Sequence, residues 1–121
     1  MNNIVNLVNQ LVKLYKTNSP FKLCKELGIS IIFIDLPKKT KGVFVKTKSN
    51  KKIILINRKI LNEEKKIEEV CAHELAHAVL HSGINAFSIE KNKKLVKKLD
   101  KEANFFAKIL LKKGGAKAEY T

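Results

Sequence analysis

The sequence predicts one α+β domain, a small three-stranded sheet packed with a long central helix and a C-terminal helix. Three observations carry that prediction. Apolar residues recur at helical spacing near both ends of the chain, three short runs rich in β-branched residues lie between them, and 121 residues at 45% hydrophobic composition suffice for one core but hardly for two. With five Gly and two Pro, the chain is neither collagenous nor of low complexity. The longest stretch free of charged, amide and His residues, Leu27 to Ile34, falls far short of the roughly 20 residues that cross a bilayer. No basic segment followed by an apolar run and a cleavage site opens the chain, so a soluble, cytoplasmic protein is expected. Two cysteines, Cys24 and Cys71, are too few for a disulfide framework and read as buried thiols.

Each element follows from its local pattern. Ile4, Leu7, Val8, Leu11, Val12 and Tyr15 form the stripe of an amphipathic helix from about Asn3 to Lys16. The Thr17-Asn18-Ser19-Pro20 cluster interrupts it, and Ser19 as N-cap with Pro20 in the first turn starts a short helix to Leu27 that stops at Gly28. Ile29 to Ile34, Gly42 to Lys46 and Lys52 to Asn57 read as strands, antiparallel at least across the second pair. Asn62 can cap a long helix with Glu63 and Glu64 in its first turn, running to His81 and ending at Ser82-Gly83. From Val70 to Leu80 apolar or chemically useful residues lie on every face, which predicts burial all round. A loop from Gly83 to Asn92 leads to a last helix on which Leu95, Leu99, Glu102, Phe106 and Ile109 or Leu110 share one side. Gly114-Gly115 should end that helix and residues 116–121 should form a flexible tail, leaving 1–121 as a single domain.

The net charge of +14 would ordinarily suggest nucleic acid, but its distribution argues otherwise. Residues 1–62 carry 13 basic and 2 acidic side chains, residues 63–90 carry 2 and 6, and residues 91–121 carry 10 and 3. An acidic island thus separates two basic arms. All but one of the basic residues are Lys, whereas base and phosphate readers draw on the bidentate guanidinium that only Arg58 offers here. No specific nucleic-acid partner is expected.

The chemistry lies in His73-Glu74-Leu75-Ala76-His77, an H-E-x-x-H pentad on the predicted long helix. Two imidazoles four residues apart lie on one helical face and can converge on a Zn²⁺ ion, while Glu74, one step round, can act as general base on a water. Such a site needs a third protein ligand. His81 is excluded because it lies about 12 Å along the axis from His73; a buried histidine holding a neighbouring group is the expected reading. Of the downstream acids Glu90 falls in the loop, Glu102 lies on the apolar side of the last helix where a metal would explain it, and Asp100 is the alternative. The expected set is therefore His73, His77 and Glu102 on zinc, with Glu74 catalytic. Tyr15 and Tyr120 are read as packing and tail residues. The strand Lys52 to Asn57 is a candidate to run along the cleft and pair with an extended substrate.

The block Ala72 to His81, followed 25 residues after His77 by Glu102-Ala103-Asn104-Phe105-Phe106-Ala107, resembles the ImmA/IrrE family of metallopeptidases. The likeness extends back through Lys41-Gly42-Val43-Phe44, Ile53 to Asn57, the Asp35-Leu36-Pro37 turn and Leu23 to Ile29, so that about 90 residues from Phe21 to Leu111 are covered. The resemblance implies a small zincin-like fold, zinc on His73, His77 and Glu102, and Glu74 as base. It also implies an anti-repressor, carried by phages or mobile elements or acting in stress responses, whose substrate is a helix-turn-helix transcriptional repressor. Family members commonly continue after the paired leucines with Met-Pro, where this chain has Lys112-Lys113-Gly114-Gly115. Some carry an N-terminal helix-turn-helix, for which the first 20 residues are too few, so DNA targeting in cis is not expected. The competing reading is a zincin-like module that sequesters a repressor or binds nucleic acid without cutting; a purely structural zinc site would be a ligand short.

Overall fold

The computed structural model describes residues 1–84 and 92–112. Helix α1, Asn2–Tyr15, turns Ile4, Val8 and Leu11 into the core and ends on Lys16 in the left-handed conformation. Helix α2, Pro20–Glu26, starts as its sequence dictates, with the Ser19 hydroxyl accepting the Lys22 N–H at 3.3 Å and proline in the first turn. Gly28 then takes φ +73°, which favours glycine, and delivers the chain into strand β1.

Strands β1 (Ile29–Ile34), β2 (Gly42–Lys46) and β3 (Lys52–Asn57) match the expected runs, and their order is β1-β3-β2. β2 and β3 pair antiparallel with Phe44 opposite Ile54, whereas β1 and β3 pair parallel with Ile31 opposite Ile54. Alternation places Ile29, Ile54 and Ile56 in the core, while Ile32 on the opposite face remains 43% exposed. Asn57 closes the sheet. Its buried amide donates to the carbonyls of Leu36, Pro37 and Thr40 at 3.1, 3.3 and 2.9 Å, which fixes the loop that leads into β2.

Asn62 does not cap the long helix. Asn57 instead caps a 3₁₀ turn, Arg58–Ile60, by accepting the Lys59 N–H at 3.1 Å, and the Glu63 N–H bonds back to the Ile60 carbonyl at 3.0 Å. The chain stays tightly wound until Glu63, so helix α3 spans Glu64–Leu80 with no side-chain cap. Helix α4, Lys93–Lys112, opens with the Asn92 side chain accepting the Leu95 N–H at 3.0 Å.

α3 is the centre of the molecule, with the sheet and α2 packed on it from some sides and α4 from another. α1 lies against α4, where the Asn18 amide just beyond α1 reaches the Leu110 carbonyl at 3.4 Å. The buried residues of α1 through α4, β1 and β3 form one connected core. Glu90, Tyr120, the Gly114-Gly115 stop, the 116–121 tail and most of the loop after Ile84 lie outside the described residues. Among the described residues no helix is long and apolar enough to cross a membrane.

Candidate metal centre and active site

His73 and His77 project from α3 with their Nε2 atoms 3.2 Å apart, and Asp100 of α4 brings Oδ1 to 3.6 Å from the first and 3.4 Å from the second. Ligand bonds of about 2.0–2.1 Å in a tetrahedral shell separate neighbouring donors by about 3.3 Å, so all three edges fit a single small ion. The proton inventory points the same way. The Asn104 amide oxygen, 2.8 Å from His73 Nδ1, can only accept, so the Nδ1 of His73 carries a hydrogen, and in the neutral ring the lone pair is then on Nε2. His77 is held neutral, its pKa pushed down to about 4 first by burial and then by His73 and His81. Lone pairs and a carboxylate oxygen facing one point repel one another unless a cation sits between them. Among the described residues this is the only group of three such side chains that could hold a metal.

The carboxylate facing the histidine pair is therefore Asp100, where the sequence pointed to Glu102. Glu102 lies instead on His81, with Oε1 at 2.8 Å from Nε2, and the other ring nitrogen of His81 lies 2.9 Å from His77 Nδ1. The reason is the rotation of α4. Its buried face holds Leu99, Ala103, Phe106, Ala107 and Leu110. At about 100° per residue, Asp100 and Glu102 flank Ala103 on opposite sides by about 60° and 100°. The expected stripe was tilted toward Glu102 because it counted large apolar residues and passed over the alanines. Ala72 and Ala76 of α3 and Ala103 and Ala107 of α4 are all buried in two helices that pack on each other. The alanines on the buried face of α4 were the signal available for Asp100 and for Asn104, to which the sequence assigned no role.

Glu74 sits beside the cluster, only 8% exposed. Burial, reinforced by the nearby charge of Asp100, pushes its carboxyl up to about 7, against the pull of a hydrogen bond from the Phe44 backbone N–H. That bond is possible because of ladder phase. The Asn57 N–H bonds to the Lys41 carbonyl and the Thr47 N–H to the Lys51 carbonyl, each at 2.8 Å. Val43 and Val45 consequently bond toward β3, and the backbone groups of Gly42, Phe44 and Lys46 point outward from the sheet. Gly42 lets β2 approach α3, since a Cβ there would stand 2.5 Å from Val70 Cγ1 and 3.2 Å from Glu74 Cγ. Lys46 ties the far end of the strand to the end of α3 through a 3.3 Å bond to the Ser82 carbonyl.

The edge strand beside the cleft is thus β2. β3, the strand expected there, is central and paired on both sides, so its backbone has no free bonds to offer a substrate. A cleft of about 360 Å³ lies over the histidines, walled by Val43, Phe44, Val96 and Leu99. On the other side of Gly42 and Glu74 a second hollow of about 560 Å³ is lined by Lys39, Lys41 and Lys66. Cys24 and Cys71 are both buried, and the Cys71 thiol is pushed up by its hydrogen bond with Cys24 and by burial, so neither serves as a nucleophile.

The same stretch of chain that builds this geometry matches known proteins. A family model for the IrrE N-terminal-like domain, Peptidase_M78, covers residues 24–116. The chain is 38% identical over 105 residues to the uncharacterized immunity region protein 2 of Bacillus phage phi105, an alignment spanning 86% of this chain and 65% of that protein. It is 29% identical over 110 residues to metallopeptidase ImmA of Bacillus subtilis strain 168, spanning 89% and 62%. The chain accordingly spans a little under two thirds of the length of either relative. Because the family match runs from α2 through α4 and takes in every residue of the cluster, the chain belongs to the Peptidase_M78 family of IrrE N-terminal-like domains.

Proposed function

We propose that the protein is a zinc-dependent endopeptidase that cuts a peptide bond in a protein substrate, a cytoplasmic helix-turn-helix repressor, and so relieves repression. The observation that carries this reading is the convergence of His73, His77 and Asp100 ligand atoms at ion spacing with the buried carboxylate of Glu74 alongside. His73, His77 and Asp100 would hold the metal, which takes Asp100 in place of Glu102 as the third ligand. A divalent metal held there supplies Lewis-acid chemistry, polarising a carbonyl and easing the deprotonation of water. Two His and one carboxylate suit zinc and leave a coordination position open.

The chain's own groups do the rest. Glu74 accepts a proton from the attacking water and passes it to the leaving amine, and its burial, which raises the carboxyl above the ordinary carboxylate value, favours holding that proton in between. An extended substrate segment lies along β2, bonding to the outward backbone groups of Gly42 and Lys46 and to the Phe44 carbonyl, the Phe44 N–H being held by Glu74. The apolar walls formed by Val96 and Leu99 suit an aliphatic or aromatic side chain next to the scissile bond. The repressor substrate rests on the resemblance to ImmA/IrrE proteins and on the likeness to a phage immunity-region protein.

The test is incubation of the zinc-loaded protein with the repressor encoded beside it, read by intact mass spectrometry. One discrete cut, lost in Glu74→Gln and after chelation, is the expected result. A repressor bound but left whole by the zinc-loaded protein would replace the peptidase with a sequestering module, and a cut that survives Glu74→Gln would remove Glu74 from the chemistry.

A further inference from the structure

We propose that His81 and Glu102 form a positioning relay that fixes His77 as an Nε2 metal ligand, an inference that rests on the metal reading above. With His81 neutral, the hydrogen bonds leave one consistent assignment. A carboxylate only accepts, so across the 2.8 Å contact with Glu102 Oε1 the His81 Nε2 must donate. A neutral imidazole that donates from Nε2 has its lone pair on Nδ1, so across the 2.9 Å contact His81 Nδ1 accepts from the Nδ1–H of His77. His77 is thereby left with its lone pair on Nε2, the atom 3.2 Å from His73 Nε2 and 3.4 Å from Asp100.

The direction of donation is set at the outer end of the chain. Were residue 102 neutral and able to donate, His81 could reverse both bonds, and His77 would then present an N–H to the metal position. The relay also spans two elements, since His81 caps the C-terminus of α3 and Glu102 belongs to α4. His81 is 8% exposed, so water competes little for these bonds. On the other ligand, the Asn104 carbonyl oxygen fixes His73 in the same tautomer. Both imidazoles are thus set from behind, as metal-bound histidines generally are.

Zinc affinity is measured by competition with a chromophoric chelator for the wild type, His81→Ala, Glu102→Ala, the double variant and Glu102→Gln. The melting temperature of each metal-free protein is recorded alongside. Each single alanine should weaken zinc by about 10- to 100-fold. The double variant should lose no more than the worse single one, because the first removal already frees His77. Glu102→Gln separates tautomer control from simple fastening of α3 to α4. It keeps the shape and a hydrogen bond, so its metal-free melting temperature should match the wild type; its amide can accept from His81 or donate to it, and ¹⁵N shifts of the metal-free protein read which, with zinc affinity falling only as far as His77 shifts to the Nε2–H tautomer.

A zinc affinity that falls in Glu102→Gln while His77 keeps its Nδ1–H would overturn the relay, as would an Nε2–H His77 in the metal-free wild type or additive losses in the double variant. Abolition of binding in Glu102→Ala with His81→Ala unchanged would make Glu102 itself the ligand. A wild type that binds no zinc would bring down the metal reading itself, which is a different result from any of these.

Discussion

Replacing Glu74 by Gln should stabilise the metal-free fold while abolishing proteolysis, and the gain should grow with pH. The carboxyl has its ordinary value of 4.5 in the unfolded chain and about 7 in the folded one, where burial and Asp100 disfavour its charge. Between those values the folded state binds more protons than the unfolded state, so stability falls as pH rises through 7. With about 1.4 kcal/mol per pKa unit, the penalty is about 1 kcal/mol at pH 5, where the folded group is neutral and the unfolded one only partly ionised, and about 3 kcal/mol at pH 8. Glutamine carries no such penalty, has nearly the same shape, and can still accept the Phe44 N–H. Urea unfolding of both proteins in EDTA, followed by circular dichroism, should give Glu74→Gln an advantage about 2 kcal/mol larger at pH 8 than at pH 5. Because every other titrating group is common to both chains, most of the remaining pH dependence cancels in the difference. Saturating Zn²⁺ should shrink the advantage, since a nearby cation favours the carboxylate. An advantage that does not change with pH, or a Gln variant less stable than wild type at pH 8, would refute the argument that Glu74 is held against its charge by burial.

Asp100→Ala should weaken zinc binding in a chelator competition more than either relay substitution does, because it removes a ligand and not the group behind one. Gly42→Ala should cost about 1–3 kcal/mol in chemical denaturation and reduce cleavage more than stability alone explains. The added Cβ meets Val70, whose β-branched side chain has little rotamer freedom in a helix, and crowds Glu74 Cγ. Asn57→Ala strands the carbonyls of Leu36, Pro37 and Thr40; a loss of about 2 kcal/mol is expected, with faster hydrogen exchange in the loop before β2.

Much of this protein was legible along the chain because its determinants are local. The three strands announced themselves by β-branched runs, α2 by Ser19 and Pro20, and the pair His73 and His77 by a spacing that any α-helix turns into one face. Short-range signals failed where a second local solution competed, as when the 3₁₀ turn after Asn57 displaced Asn62 from the cap. Sheet order was not legible, because the parallel pairing of β1 with β3 depends on where the chain crosses after Ile34. With it went the identity of the strand beside the cleft. The choice between Asp100 and Glu102 was likewise tertiary. The two carboxylates flank the same buried face of α4, and which of them meets His77 and which meets His81 depends on how α4 is rotated against α3. That rotation is set by the face α4 buries, Leu99, Ala103, Phe106, Ala107 and Leu110, two of them too small to show in a hydrophobic stripe, and it exists only once the two helices have packed.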